Sequence, residues 1–193
     1  TDIRLGVLPQ SRNWKQVIHK LRVNANPATI AAFTAKAAHD GLELAKRDRG
    51  LANIIDLFMR TLLASKHKNF TGELQRFGMK LAGNASMLDV IGEFDKAADG
   101  RLQKGQHRSD LAEMARHSAV DTLTEICLLE TKSLFGNDIQ QTQTFFKKHA
   151  SPKQFGIVGR RFFGKFLYRF LDYHLSRELA NHVGLNRTYD TIR

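Results

Sequence analysis

Apolar residues recur three or four positions apart along most of this 193-residue chain, and this spacing limits the fold more than any other feature. One face of an α-helix repeats in that way, whereas a half-buried strand alternates at every second residue. A representative set of apolar positions is Leu51, Ile54, Ile55, Phe58 and Leu62. Alternation occurs only in the short run IRLGVL near the start. The sequence therefore predicts an all-α protein.

Capping residues and glycines divide the periodic pattern into about seven or eight helices. Thr71 predicts the start of a helix that ends near Gly83, and Ser86 predicts the start of one that ends at Gly100. The polar segment 101–108, RLQKGQHR, is interpreted as a loop. We predict one multi-helix bundle with a long C-terminal helix, a single domain over residues 1–193, and the weakest seam near 100–108.

Positive charge is concentrated at the two ends of the chain, whose formal net charge is +11. Residues 1–23 hold five Lys/Arg and one acidic residue, and residues 147–193 hold ten Lys/Arg and three acidic residues. Residues 24–146 hold fifteen of each and are neutral. This asymmetry favours a polyanionic partner, DNA or RNA, and the alternative is a basic surface that only aids solubility.

The segment 159–182, GRRFFGKFLYRFLDYHLSRELANH, places a row of cations beside a row of aromatic residues. The cations, four residues apart on one helix face, are Arg161, Lys165 and Arg169. The phenylalanines one position further along are Phe162, Phe166 and Phe170. We predict that these phenylalanines are buried, because exposing them would create a large apolar patch. The cations would then border the buried face and meet phosphates.

Further cations precede this row and extend the predicted binding surface. The complete set of predicted nucleic-acid-binding residues is Lys147, Lys148, Lys153, Arg160, Arg161, Lys165 and Arg169. Contacts of this kind give affinity for the phosphate backbone but carry little base-sequence information.

Gly159 is expected to bend the C-terminal helical segment. Ser151 and Pro152 predict the start of a helix, and a glycine so soon afterwards favours a break and a new helix. Arg160 and Arg161 would then lie in a first turn, where cations oppose the helix dipole unless an anion binds the free amides. The alternative is a helix that runs through Gly159 without interruption and offers no such site.

Two Arg–His pairs in the same segment have four intervening residues: Arg169 with His174, and Arg177 with His182. This spacing resembles the Arg–His motif of the HEPN superfamily, small helical bundles that include metal-independent ribonucleases. The resemblance implies that the arginine binds the scissile phosphate and the histidine transfers a proton, usually across a dimer interface. A HEPN-like ribonuclease is therefore one alternative function.

The aromatic face of the same helix allows two further interpretations. The face docks on another protein, with the cations as its polar rim, if the chain is an assembly or adaptor subunit. It lies on an anionic membrane surface if the helix is peripheral, but we expect the bundle core to use it instead. We therefore expect other protein subunits as partners and no membrane.

The remaining reactive residues indicate no metal, no cofactor and no catalytic nucleophile, so the leading interpretation is a binding protein rather than an enzyme. Cys127 is the only cysteine, and its apolar surroundings in LTEICLLE predict a buried thiol. A single thiol forms no internal disulfide, which favours a reducing cytoplasm. His174, Glu178 and His182 share a helix face; this spacing is typical of a solvated stripe, and the alternative is a transition-metal site. No apolar run is long enough to predict a membrane span, and the N-terminal segment has no apolar signal core.

Overall fold

A computed structural model describes residues 12–23, 25–26, 28–30, 32–34, 36–37, 45–105, 107–130 and 138–182, with side chains except at 21, 22, 130, 174, 175 and 177–182. The described residues are largely helical and include no β-strand, so the all-α prediction is confirmed. They include the helices α1 (Arg12–Arg22), α2 (Arg49–Ala64), α3 (Phe70–Arg76), α4 (Met87–Lys104), α5 (Asp110–Glu130), α6 (Ile139–His149) and α7 (Pro152–His182). Within the described ranges, no helix combines the length and the apolar character needed to cross a bilayer.

The chain divides into two compact units. The first consists of Thr1–Arg4 and Asp48–Phe166, and the second consists of Leu5–Arg47 and Leu167–Arg193. The seam predicted near 100–108 falls inside the first unit, at the end of α4 and in the connection to α5. The single domain over 1–193 stays a prediction.

In the first unit, α2 packs against α3, α4, α5 and α6, and α4 also packs against α5. The side chain of Asp48 caps α2 by accepting a hydrogen bond from the Leu51 amide at 2.7 Å. At Gly50 the helices are so close that an added Cβ would lie 2.7 Å from the Cβ of Ala112 in α5. The apolar face of α2 is buried against these neighbours, and its side chains form the core of this unit.

Phenylalanine rings attach the first part of α7 to this core. Phe58 of α2 stacks on Phe162 of α7 with ring centroids 5.1 Å apart, and it meets Phe94 of α4 edge-on at 6.4 Å. Phe162 and Phe166 are almost completely buried. The prediction that these aromatic residues belong to a core is therefore confirmed, and Phe170 is equally buried in the second unit.

The second unit has its own buried apolar residues. Trp14 and Val17 of α1 are buried, as is Phe170 of α7. The Lys20 ammonium lies 5.4 Å from the centroid of the Phe33 ring, which is within the range of a cation–π contact.

Helix α3 ends earlier than predicted, at Arg76 rather than near Gly83. Gly78 has a φ of 95°, a conformation that residues with a Cβ rarely adopt. The Met79 amide donates to the Leu74 carbonyl at 3.1 Å across this glycine, which is the hydrogen bond of a Schellman motif. The turn at this glycine brings backbone amides to carbonyl groups at the end of α3, and the helix ends there.

Two other predicted helix ends were also wrong. The N-cap of α3 is Asn69 rather than Thr71, because the Asn69 side chain accepts a hydrogen bond from the Gly72 amide at 2.9 Å. Helix α4 continues through Gly100 to Lys104, so part of the predicted 101–108 loop is helical. Leu102 is completely buried, and that burial outweighs the roughly 1 kcal/mol by which a helical glycine is unfavourable.

The expected break at Gly159 is wrong, because α7 is a single helix from Pro152 to His182. The alternative of an uninterrupted helix is confirmed. Val158 and Phe162 are buried on either side of the glycine and hold this part of α7 in the core. Arg160 and Arg161 therefore lie in a helix interior, where the free first-turn amides predicted beside them do not exist.

Candidate nucleic-acid interface

The first two cations of the predicted row, Arg161 and Lys165, share one carboxylate. Arg161 Nη1 lies 2.8 Å from Oε1 of Glu125 in α5, and Lys165 Nζ lies 2.7 Å from Oε2 of the same residue. The hydrogen bond from Lys165, with the charges of both cations, holds the pKa of Glu125 below its usual value. Two cations that share one carboxylate retain one net positive charge.

Four other predicted binding residues are exposed. They are Lys147 and Lys148 at the end of α6, and Lys153 and Arg160 in α7. Lys153 and Arg160 are seven residues apart, which is about two helical turns, so they lie on one face of α7. For Lys147, Lys153 and Arg160, no carboxylate lies within ion-pair distance in the part of the chain that the structure describes. We call these four residues the cationic face.

The end of α6 explains part of this arrangement in structural terms. Lys147, Lys148 and His149 occupy its last turn, where cations interact favourably with the negative end of the helix dipole. His149 is buried, and its Nδ1 lies 3.0 Å from the Phe145 carbonyl oxygen. The two lysines, by contrast, are exposed.

The structure adds two exposed lysines that the sequence analysis missed. The Gln143 side-chain amide donates to the Ser65 carbonyl at 3.0 Å and to the His67 carbonyl at 2.8 Å. These bonds fix the turn that contains Lys66 and Lys68 against α6. Gln143 is one helical turn before Lys147, so the turn lies on the same side of α6 as Lys147. The run SKHK between two apolar helices was the only sequence signal.

Arg116, in the neutral centre of the chain, is instead engaged in internal pairs. Arg116 of α5 contacts Asp95 at 2.7 Å, Asp99 at 3.0 Å and Glu113 at 3.2 Å. Its side chain is only 16% exposed. Its three partners lie both on its own helix and on α4, so this arginine pairs within a helix and between helices.

The residues of the two Arg–His pairs lie in α7, but only Arg169 has a described side chain, which is half-buried in the second unit. The side chains of His174, Arg177 and His182 lie outside the described residues. Positions 169 and 174 are about 140° apart around the axis of a continuous helix. The HEPN-like pairing stays a prediction.

In the part of the chain that the structure describes, metal-binding and nucleophilic residues give no second candidate site. Among the described residues, no group of three His, Cys, Asp or Glu side chains is arranged to hold a metal ion. The predicted burial of Cys127 is confirmed, since this thiol has no exposed surface.

Comparison of the chain with protein-family models, with characterised proteins and with solved structures gives no match.

Proposed function

We propose that this chain binds DNA or RNA through the phosphate backbone, as a cytoplasmic protein within a larger complex. The observation that carries the proposal is the exposure of Lys147, Lys148, Lys153 and Arg160 on consecutive helices. Each contact of a cation with a phosphate releases condensed counterions, so several such contacts give affinity without reading the bases. The first turn of α7, which contains Lys153, has no acidic residue that would repel a phosphate.

A comparison with three paired cations of the first unit supports the choice of this surface. Arg60, Arg76 and Lys96 each lie 2.7 Å from a carboxylate on their own helix. A paired cation is partly neutralised, so it attracts a phosphate less strongly than an exposed cation with no carboxylate near it. Lys147, Lys153 and Arg160 are therefore favoured phosphate contacts, with Lys66 and Lys68 as further exposed cations.

Arg161 and Lys165 have a smaller role in the proposal than the sequence alone indicated. They share Glu125, so together they contribute the charge of a single cation. Arg169 belongs to the second unit, and its part in binding stays a prediction from the sequence.

The proposal is tested by the salt dependence of binding. Fluorescence anisotropy measures the affinity for a short labelled single strand and for a duplex over a range of salt concentrations. The triple variant Lys147→Gln, Lys153→Gln, Arg160→Gln is expected to reduce the slope of log affinity against log salt by about 2 for the single strand and about 3 for the duplex.

A matched control removes the same charge from paired positions. The variant Arg60→Gln, Arg76→Gln, Lys96→Gln has the same net charge as the test variant, but its cations are paired with carboxylates. Its slope is expected to stay close to that of the wild type. Equal slopes for the two triple variants, or no binding by the wild type at low salt, would contradict the proposal.

Exposed apolar residues favour a second candidate, an assembly subunit. Phe163 is 52% exposed on α7 and Leu128 is 58% exposed on α5. Large exposed side chains of this kind are common where a protein partner docks. Co-purification of a stoichiometric protein partner after nuclease treatment, lost in the variant Phe163→Ser, would support this function.

A further inference from the structure

A cavity of about 230 Å³ opens in the first unit among the ends of α5 and α6 and the first part of α7. Its apolar wall consists of Ile126, Leu129, Ile157 and Val158. Its polar wall consists of His149, Gln154 and Arg161. Sites for drug-sized ligands occupy about 300–1,000 Å³, so this smaller volume suits a single planar ring system.

The cavity borders the cationic face. Gln154 and Arg161 of the cavity wall each follow a residue of that face, Lys153 and Arg160, by one position. Successive helix positions are about 100° apart, so the two surfaces are neighbours on α7. A chain whose phosphates lie on Lys153 and Arg160 would therefore run beside the cavity residues Gln154 and Arg161.

The polar wall is held in place before any ligand binds. Arg161 is fixed by its hydrogen bond to Glu125 at 2.8 Å. His149 is fixed by the contact of its Nδ1 with the Phe145 carbonyl, and its ring lies 4.4 Å from the Phe145 ring. Groups that are already positioned lose little conformational entropy when a ligand arrives, which favours recognition.

We infer that this cavity receives one unstacked nucleobase of a single-stranded nucleic acid, an inference that rests on the proposed function. The faces of a base are apolar and suit Ile157 and its neighbours, while the base edge carries donors and acceptors. The Gln154 amide offers both kinds of group, and the Arg161 guanidinium offers donors. A base in a duplex would first have to leave its stack at a cost of a few kcal/mol, so a single strand is the preferred ligand.

The test separates recognition of the base from recognition of the phosphate. Anisotropy is measured with three probes of about ten nucleotides: an oligothymidine strand, an abasic strand with the same phosphates, and a duplex. The wild type is expected to bind oligothymidine about tenfold more tightly than the abasic strand. Ile157→Trp, which fills the cavity, and Gln154→Leu, which removes the edge contacts, are expected to abolish that preference.

The salt slope and the affinity for the abasic strand are expected to stay unchanged in both variants, because the cationic face is intact. Thermal unfolding checks that each variant folds, and Gln154→Leu keeps the test valid if the larger indole side chain of the Ile157→Trp variant destabilises the protein. Equal wild-type affinities for the oligothymidine and abasic strands would overturn the inference while leaving phosphate binding in place. Failure of the wild type to bind any of the three probes would overturn the proposed function as well.

Discussion

At the scale of single residues, ion pairing with Glu125 reduces the charge that Arg161 and Lys165 contribute to the candidate site. The sequence separates these cations from Glu125 by 36 and 40 positions, and it contains no sign that they meet. Spacing along the chain predicted that the cations share a helix face, which is a local property. Which acid faces them depends on how α5 packs beside α7, and packing between helices is not encoded in local spacing.

Replacing Glu125 with Gln is expected to destabilise the protein in a pH-dependent way. Because the folded-state pKa lies below the usual value of 4.5, the contact stabilises fully above that pH and is lost as the pH falls through the lowered folded-state pKa. Glu125→Gln should therefore reduce the free energy of unfolding at pH 7 by no more than about 1 kcal/mol, since all three groups are partly solvated. Urea denaturation of both proteins measures the difference.

The difference between wild type and Glu125→Gln is expected to vanish at a pH well below 4.5, where the carboxyl group is protonated in both folded and unfolded chains. High salt at pH 7 should also shrink it, because salt screens exposed pairs. A difference of the same size at both pH values would show that Glu125 stabilises the fold by packing rather than by its charge.

At the scale of the helix, glycine had two opposite effects that composition alone did not separate. Gly78 ends α3 because the chain adopts a positive φ there, and only the completed Schellman hydrogen bonds reveal this. Gly100 and Gly159 lie inside helices whose apolar neighbours are buried. The apolar periodicity on both sides of each glycine was the better guide, since burial of a whole face outweighs one unfavourable propensity.

Substituting Gly159 with Ala is expected to raise the free energy of unfolding by about 0.5–1 kcal/mol. Position 159 is in a helix interior, and an added Cβ would meet no atom within 4 Å, so the substitution adds helix propensity without a clash. Urea denaturation, with the slope unchanged, measures the gain.

Gly78→Ala is the matched control for this prediction, because its φ of 95° strains any residue with a Cβ. It is expected to lose about 1 kcal/mol of stability. If Gly159→Ala were destabilising as well, the chain would have a non-helical conformation at Gly159, and the continuity of α7 would be wrong there.

At the scale of the whole molecule, the sequence predicted the helical class, the buried phenylalanines and the basic C-terminal region. The sequence predicted fewer features of the candidate site than of the fold. Residues 24–146 have no net charge, so the charge totals gave no sign of the exposed Lys66 and Lys68. The Gln143 side chain holds the turn that contains these lysines against α6. The cavity was also beyond prediction, because its walls come from three helices, and the packing between helices is not encoded in local spacing.

The division of the chain into two compact units raises the question of whether they unfold together. Helix α7 contributes residues up to Phe166 to the first unit and residues from Leu167 to the second. Helix propagation is cooperative, so disorder in one half of α7 removes the template for the other half. We therefore expect one unfolding transition, as the predicted single domain requires.

The only tryptophan, Trp14, is buried in the second unit, so its fluorescence reports on that unit while far-UV circular dichroism reports on all helices. The two signals are expected to give the same thermal midpoint. Phe170→Leu, a substitution in the core of the second unit that costs about 1 kcal/mol, should lower both midpoints equally. A midpoint that falls only in the Trp14 signal would show two independently folding domains, because destabilising one unit would then leave the helices of the other intact.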